Sequence, residues 1–134
     1  MATVQKVILT KAAPDTVWDA IRDVGALHTR LVRGFVTDTR LEPGARIVTF
    51  ANGATVREPI VTIDDAARRL VWSAEGGVTT HYNASAQVFR IDDDSTRVVW
   101  IADFLPDTAS GQIATAMDAG LAVMKKTLDR LAVD

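Results

Sequence analysis

The hydrophobic pattern of the chain changes its period at Pro106. From Gly34 to Phe104, short apolar and β-branched runs are separated by turn signals: EPG at 42–44, NG at 52–53, DDAARR at 64–69, EGG at 75–77 and DDDST at 92–96. That punctuation predicts six strands, over 34–41, 45–51, 54–63, 69–75, 79–91 and 96–104, with loops short enough for an antiparallel meander. After Pro106, Ile113, Met117, Leu121, Met124, Leu128 and Leu131 recur at spacings of three and four, while Asp118, Lys125, Asp129 and Arg130 fall elsewhere on the wheel. This is an amphipathic helix. At about 20 residues it spans about 30 Å, long enough to lie across a whole sheet.

The segment before the meander reads as a strand and then helix. TVQKVILTK is rich in β-branched residues and stops at Ala12-Ala13-Pro14, where proline suits a first helical turn. Val17, Trp18, Ile21 and Val24 then keep helical spacing to about Gly25, and ALHTRLV forms a second short helical segment. Pro59 lies inside the fourth strand, where a missing ladder donor predicts a bulge or an edge position. No repeat, linker or low-complexity tract divides the sequence, so residues 1–134 read as one domain. A chain of this length buries roughly two thirds of its unfolded surface and needs no disulfide or metal to fold.

Composition narrows the function. Fifteen basic and seventeen acidic residues give a formal net charge of −2, with no basic cluster beyond Arg68-Arg69 and Lys125-Lys126, which argues against a nucleic-acid partner. The absence of cysteine excludes thiol nucleophiles, CxxC redox chemistry and cysteine-ligated zinc. The apolar run VIL near the N-terminus is too short for a signal-peptide core, and no run is long enough to span a membrane, so a cytoplasmic protein is the default expectation. The two histidines, His28 and His81, offer no metal-ligand spacing, and no cofactor motif is present: GxGxxG, GxxxxGK[ST] and GxSxG are all missing.

Strand phase selects the candidate site. In the last strand, Val98, Trp100, Ala102 and Phe104 form an apolar face that should point inward. In HYNASAQVF, Tyr82, Ala84, Ala86 and Val88 then face inward, and His81, Asn83, Ser85 and Gln87 outward, although twist or a bulge could bring His81 to a cavity mouth. The alanines, with Gly120 on the helix, either leave room for a pocket or let the helix approach closely. Leu70, Trp72 and Ala74 also turn inward, as do Val56, Glu58 and Ile60. A buried Glu58 needs a partner or a proton, and Arg30 and His28 are the candidates to pair with it; a bulge at Pro59 would instead turn it to solvent.

The order strand, two short helices, six antiparallel strands and long C-terminal helix resembles the helix-grip fold of the START-like, or SRPBCC, superfamily, and its polyketide cyclase/dehydrase-like branch in particular. APDTVWDAIRDVGAL resembles the family's opening, DDAARRLVW its turn between the fourth and fifth strands, and TRVVWIADFLP its last strand. The resemblance implies an α+β fold: a seven-stranded curved antiparallel sheet wrapped around the long helix, with a ligand cavity between them. The chain departs from the family's frequent Trp-Pro in the second short helix, placing Arg30 and Leu31 there, so an arginine replaces an indole at the cavity's mouth.

Two function classes follow. In the first, a small, largely hydrophobic or aromatic molecule binds among Arg30, Phe50, Glu58, Trp72, Tyr82, Ala84, Trp100, Met117 and Leu121. In the second, the same cavity performs cyclisation, dehydration or isomerisation of an aromatic or polyketide-like substrate, with Glu58, Tyr82, His81 or His28 as acid or base. A partner-binding domain, such as a homodimer with a vestigial cavity, is a third class. Binding is the preferred reading, because no acid/base pair stands at a defined spacing.

Overall fold

The computed structural model describes residues 1–132. Strand β1 (Ala2–Thr10) is followed by helix α1 (Pro14–Arg22), a 3₁₀ turn (Val24–Ala26) and a single π-helical turn (Leu27–Leu31). Then come β2 (Val36–Glu42), β3 (Ala45–Phe50), β4 (Thr55–Asp64), β5 (Arg69–Ser73), β6 (His81–Asp92) and β7 (Ser95–Leu105). A 3₁₀ turn (Asp107–Ala109) leads into α2 (Ser110–Leu131). The strands form one antiparallel sheet in the order β1-β7-β6-β5-β4-β3-β2, so β1 and β2 are its edges and the helical excursion carries the chain from one edge to the other. The seven-stranded, helix-grip expectation is met.

Each element forms for a local reason. Pro14 occupies the first turn of α1, and Val17, Trp18 and Ile21 bury the face that repeats every three or four residues. The β4–β5 turn holds this helix from outside: the Trp18 indole N–H donates to Asp65 at 2.9 Å, Arg22 Nε donates to the same oxygen at 2.8 Å, and Arg68 pairs with Asp15. The turn DDAARR is thus an anchor as well as a reversal. Helix α2 is tied to β1 by Lys6 with Asp118 and by Lys125 Nζ donating to the Leu9 carbonyl. Its Met117, Met124 and Leu128 are buried with Ile8, Val17, Ile21, Val98 and Phe104 in the core.

Of the two expectations for Pro59, the bulge is met just beyond it and the edge position is not. β4 is an interior strand, and the register shift lies between Ile60 and Thr62, against β5. Ile60 N–H donates to Gly44 on the β3 side, so the side on which Pro59 lacks a donor is the opposite one, where pairing with β5 begins only at Ile60–Trp72. The proline sits at a handover between two ladders. The segment expected as a second short helix is the π turn, closed by Val32 N–H donating to the Leu27 carbonyl at 2.9 Å.

Candidate ligand site between the sheet and the C-terminal helix

The inner face of the sheet has a floor of small residues with large side chains around it. Register aligns Ile60, Trp72, Ala84, Ala102 and Val4 across five strands, and the next row reads Leu70, Ala86, Trp100 and Lys6. Ala84, Ala86 and Ala102 are therefore contiguous. Tyr82 lies one row further along, opposite Phe104, with the rings stacked at 6.4 Å between centroids. The phases inferred from the sequence for β5, β6 and β7 are those observed.

Space over that floor is not left open. Ala84 is 1 %, Ala86 4 % and Ala102 0 % exposed, so neighbouring side chains already cover them. At Gly120 a Cβ would lie 3.1 Å from Phe35 Cε2 and 3.3 Å from Trp100 Cη2. A methyl there would press on both rings, which settles the choice between vacancy and tight packing at that residue in favour of packing. The aromatic side chains around that floor are less completely covered. Phe35, Phe50, Tyr82 and Trp100 all pack on the core without being sealed by it, and Phe35 meets Phe50 edge to face at 5.6 Å.

One ion pair crosses this apolar interior. Arg46 on β3 and Glu58 on β4 are directly opposed, and Arg46 Nε donates to Glu58 Oε1 at 2.8 Å with side-chain exposures of 3 % and 10 %. The Arg46 guanidinium lies 5.5 Å from the centre of the Trp72 ring and also donates, at 3.5 Å, to the Val24 carbonyl of the 3₁₀ turn. Burial pushes the Glu58 carboxyl above its ordinary range, outweighing the downward pull of Arg46. Burial likewise pushes the Tyr82 hydroxyl up, helped by the negative charge of Glu58 and opposed by Arg46. These four residues form one electrostatic unit within the aromatic wall.

The sequence-derived partners for Glu58 are corrected by this arrangement. Arg30 does not reach it: its guanidinium is held by Asp19 at 2.7 Å and Asp23 at 3.0 Å, clamping the π turn to α1. His28 is half-buried, with its Nδ1 enclosed and unpartnered, and makes no bond to Glu58. His81 is exposed at the start of β6, on the outward phase. Met117 is buried and Leu121 half-buried on the inner side of α2, and Phe50, Trp72 and Trp100 stand in the wall. Two residues of the site were not anticipated. Arg46 shares the inward phase of Val48 and Phe50, and Phe35 precedes β2 where it closes over Gly120.

The buried Trp100 Nε1 and Thr39 Oγ1 also have no hydrogen-bond partner. Among the described residues, no group of three or more histidine, cysteine, aspartate or glutamate side chains is placed to hold a metal ion. Nor is any helix among them long and apolar enough to cross a membrane.

Comparison with known proteins agrees with this architecture. Residues 1–133 match the model of a family described as polyketide cyclase/dehydrase and lipid transport. The chain belongs to that family. Among solved structures, XoxI of Bacillus cereus is 21 % identical with a TM-score of 0.82, covering 100 % of this chain and 97 % of its own. A protein of Thermobifida fusca is 28 % identical with a TM-score of 0.76, covering 98 % and 95 %. The ZhuI aromatase/cyclase of Streptomyces sp. R1128 is 16 % identical with a TM-score of 0.70, covering 98 % and 93 %. The search of curated proteins gives no match. Family membership supports a ligand-binding or cyclase role for this polyketide cyclase/dehydrase-like domain, at the level of the fold and its interior.

Proposed function

We propose that this domain binds a small, largely hydrophobic ring-bearing molecule between its sheet and α2, and that Arg46, Glu58 and Tyr82 orient the molecule's polar end. The observation that carries the reading is the Arg46–Glu58 pair, enclosed by apolar and aromatic side chains. A buried ion pair contributes little to stability compared with a well-packed apolar pair, so its presence fits a recognition role. Apolar walls with a few convergent polar groups are the usual construction of a small-molecule site. Because the alanine floor is already covered, entry requires side chains to move aside. Met117 and Met124, unbranched and flexible, are suited to that movement.

Native mass spectrometry of the purified protein tests the proposal. The expected result is a retained small organic molecule, released on denaturation, or saturable quenching of tryptophan fluorescence by polycyclic aromatic probes. A protein that carries nothing and gives no saturable response to such probes overturns it.

The raised Glu58 carboxyl beside Tyr82 supports a second reading, acid/base catalysis on an aromatic or polyketide-like substrate. In that case Glu58→Gln abolishes turnover while leaving ligand affinity near the original value. Saturable binding without turnover by the unaltered protein argues for binding alone.

A further inference from the structure

The face of the sheet turned away from α2 carries a concavity, and its chemistry differs from that of the interior. It encloses about 350 Å³ and is lined by residues of β1, β5, β6 and β7. Its floor is Ser85, Gln87, Val99 and Ile101, all half-buried, and its sides carry Arg69, Arg97 and Phe89. No carboxylate lines it. Register explains the layout: Val7, Val99, Gln87 and Arg69 form one row, and Arg97 and Phe89 belong to the next. Arg69 and Arg97 thus stand two strands and one row apart, roughly 12 Å at ordinary strand spacing.

Both arginines are without an ion-pair partner among the described residues, unlike Arg22, Arg30, Arg46, Arg57 and Arg68. The nearby carboxylates bond to other groups and form no ion pair with either arginine among the described residues. Asp64, directly opposite Arg69 on β4, accepts from the Ala67 N–H of its own turn at 3.0 Å. Asp103, at the far end of the same face, accepts from the Thr3 hydroxyl. Gln87 Nε2 is also committed, donating to the Ala67 carbonyl, and the Arg97 guanidinium lies 5.4 Å from the centre of the Phe89 ring. The result is a partly apolar trough with two planar cations beside it that make no ion pair among the described residues.

We infer that this trough is a binding site for a planar organic anion, an aromatic carboxylate or sulfonate, separate from the interior site. The volume suits a molecule of one or two fused rings. A guanidinium recognises a carboxylate through paired donors and stacks on aromatic planes, and Arg97 with Phe89 already presents such a ledge. Val7, Val99 and Ile101 supply apolar contact for the ring. An acidic group without a ring would find only a screened surface charge; an uncharged ring would lack the arginines.

Methyl NMR with 2-naphthoate as the probe tests this, because the two sites carry different methyl groups. Saturable shifts at Val7, Val99 and Ile101 are expected, with affinity weakened about tenfold or more in Arg69→Gln/Arg97→Gln and similarly for 2-naphthamide on the unaltered protein. Acetate should produce no saturable shift. The arginines are exposed, and an unchanged spectrum of core methyls in the double variant confirms that it folds. Shifts confined to Met117 and Leu121, equal affinity in the double variant, or equal binding of the amide would each overturn the proposal. Interior binding by itself neither requires nor excludes these outcomes at Val7 and Val99.

Discussion

Arg46 and Glu58 set the strongest test at the scale of single residues. Arg46→Met leaves a carboxylate enclosed without its counter-charge, and such a change costs about 3 kcal/mol. The double variant Arg46→Met/Glu58→Leu removes both charges and should recover most of that loss, which urea unfolding of the four proteins of the cycle would measure. The pair also predicts a pH dependence. Glu58 holds its proton in the native state at pH values where an unfolded-chain carboxyl, near 4.5, has released it. The unfolded chain then binds fewer protons than the native one, so unfolding free energy falls as pH rises from about that value through the native pKa, and is flat beyond it. In Arg46→Met the opposing charge is gone, so the decline extends to higher pH.

Asp65 behaves in the opposite sense. The hydrogen bond from the Trp18 indole, followed by that from Arg22, holds its carboxyl below the ordinary value. Its contribution is therefore complete above pH 3.8, the ordinary value, and is lost as pH falls through the lower native one. At the scale of elements this residue joins the β4–β5 turn to α1, so Asp65→Ala should speed amide exchange selectively in α1 while the amides of β6 and β7 keep their protection. Loss of protection throughout the sheet would show that the turn is part of the core and not a clasp on the helix.

Gly120 poses the corresponding question for α2. Alanine there would gain about 1 kcal/mol of helix propensity, against a methyl placed 3.1 Å from Phe35 and 3.3 Å from Trp100. Phe35 is half-buried and precedes a strand, so it can yield, and Gly120→Ala should lie within about 1 kcal/mol of the parent. Gly120→Leu cannot be accommodated by so small a shift and should destabilise by about 2 kcal/mol, as overpacking does. Thermal unfolding of the two variants separates these outcomes.

How much of this was legible follows from what each pattern encodes. Alternation gave the inward face of β6 and β7 correctly, because a one-residue slip would have exposed Trp100 and Phe104 together. Helical spacing likewise placed Met117, Met124 and Leu128. The partner of Glu58 was missed because sequence proximity to the cavity's mouth favoured Arg30, whereas Asp19 on α1 and Asp23 just past its end offered that arginine nearer acceptors. A signal for Arg46 existed: the Asn52-Gly53 turn joins β3 to β4 in a register that sets residues 46 and 58 opposite each other. Phe35 left no comparable trace, since its role depends on how the loop after the π turn crosses α2.

For the molecule as a whole, the scaffold and the recognition chemistry should be separable. The ties described between α2 and the sheet are on the β1 side, through Lys6–Asp118 and Lys125, while the Arg46–Glu58 pair lies on β3 and β4, toward the other edge. Arg46→Met/Glu58→Leu should therefore keep the fold and the apolar walls but lose the polar anchor. Expressed as ligand-linked stabilisation, an interior ligand at a hundred times its Kd adds about 2.7 kcal/mol to the unfolding free energy. In the double variant a ligand with a hydroxyl or carbonyl group should lose about tenfold in affinity, the worth of one or two buried polar contacts, while its hydrocarbon analogue binds as well as before or better. If both ligands weaken equally, the pair supports the shape of the site. If neither changes, the polar end lies elsewhere, and the unpartnered Trp100 Nε1 becomes the group to vary next.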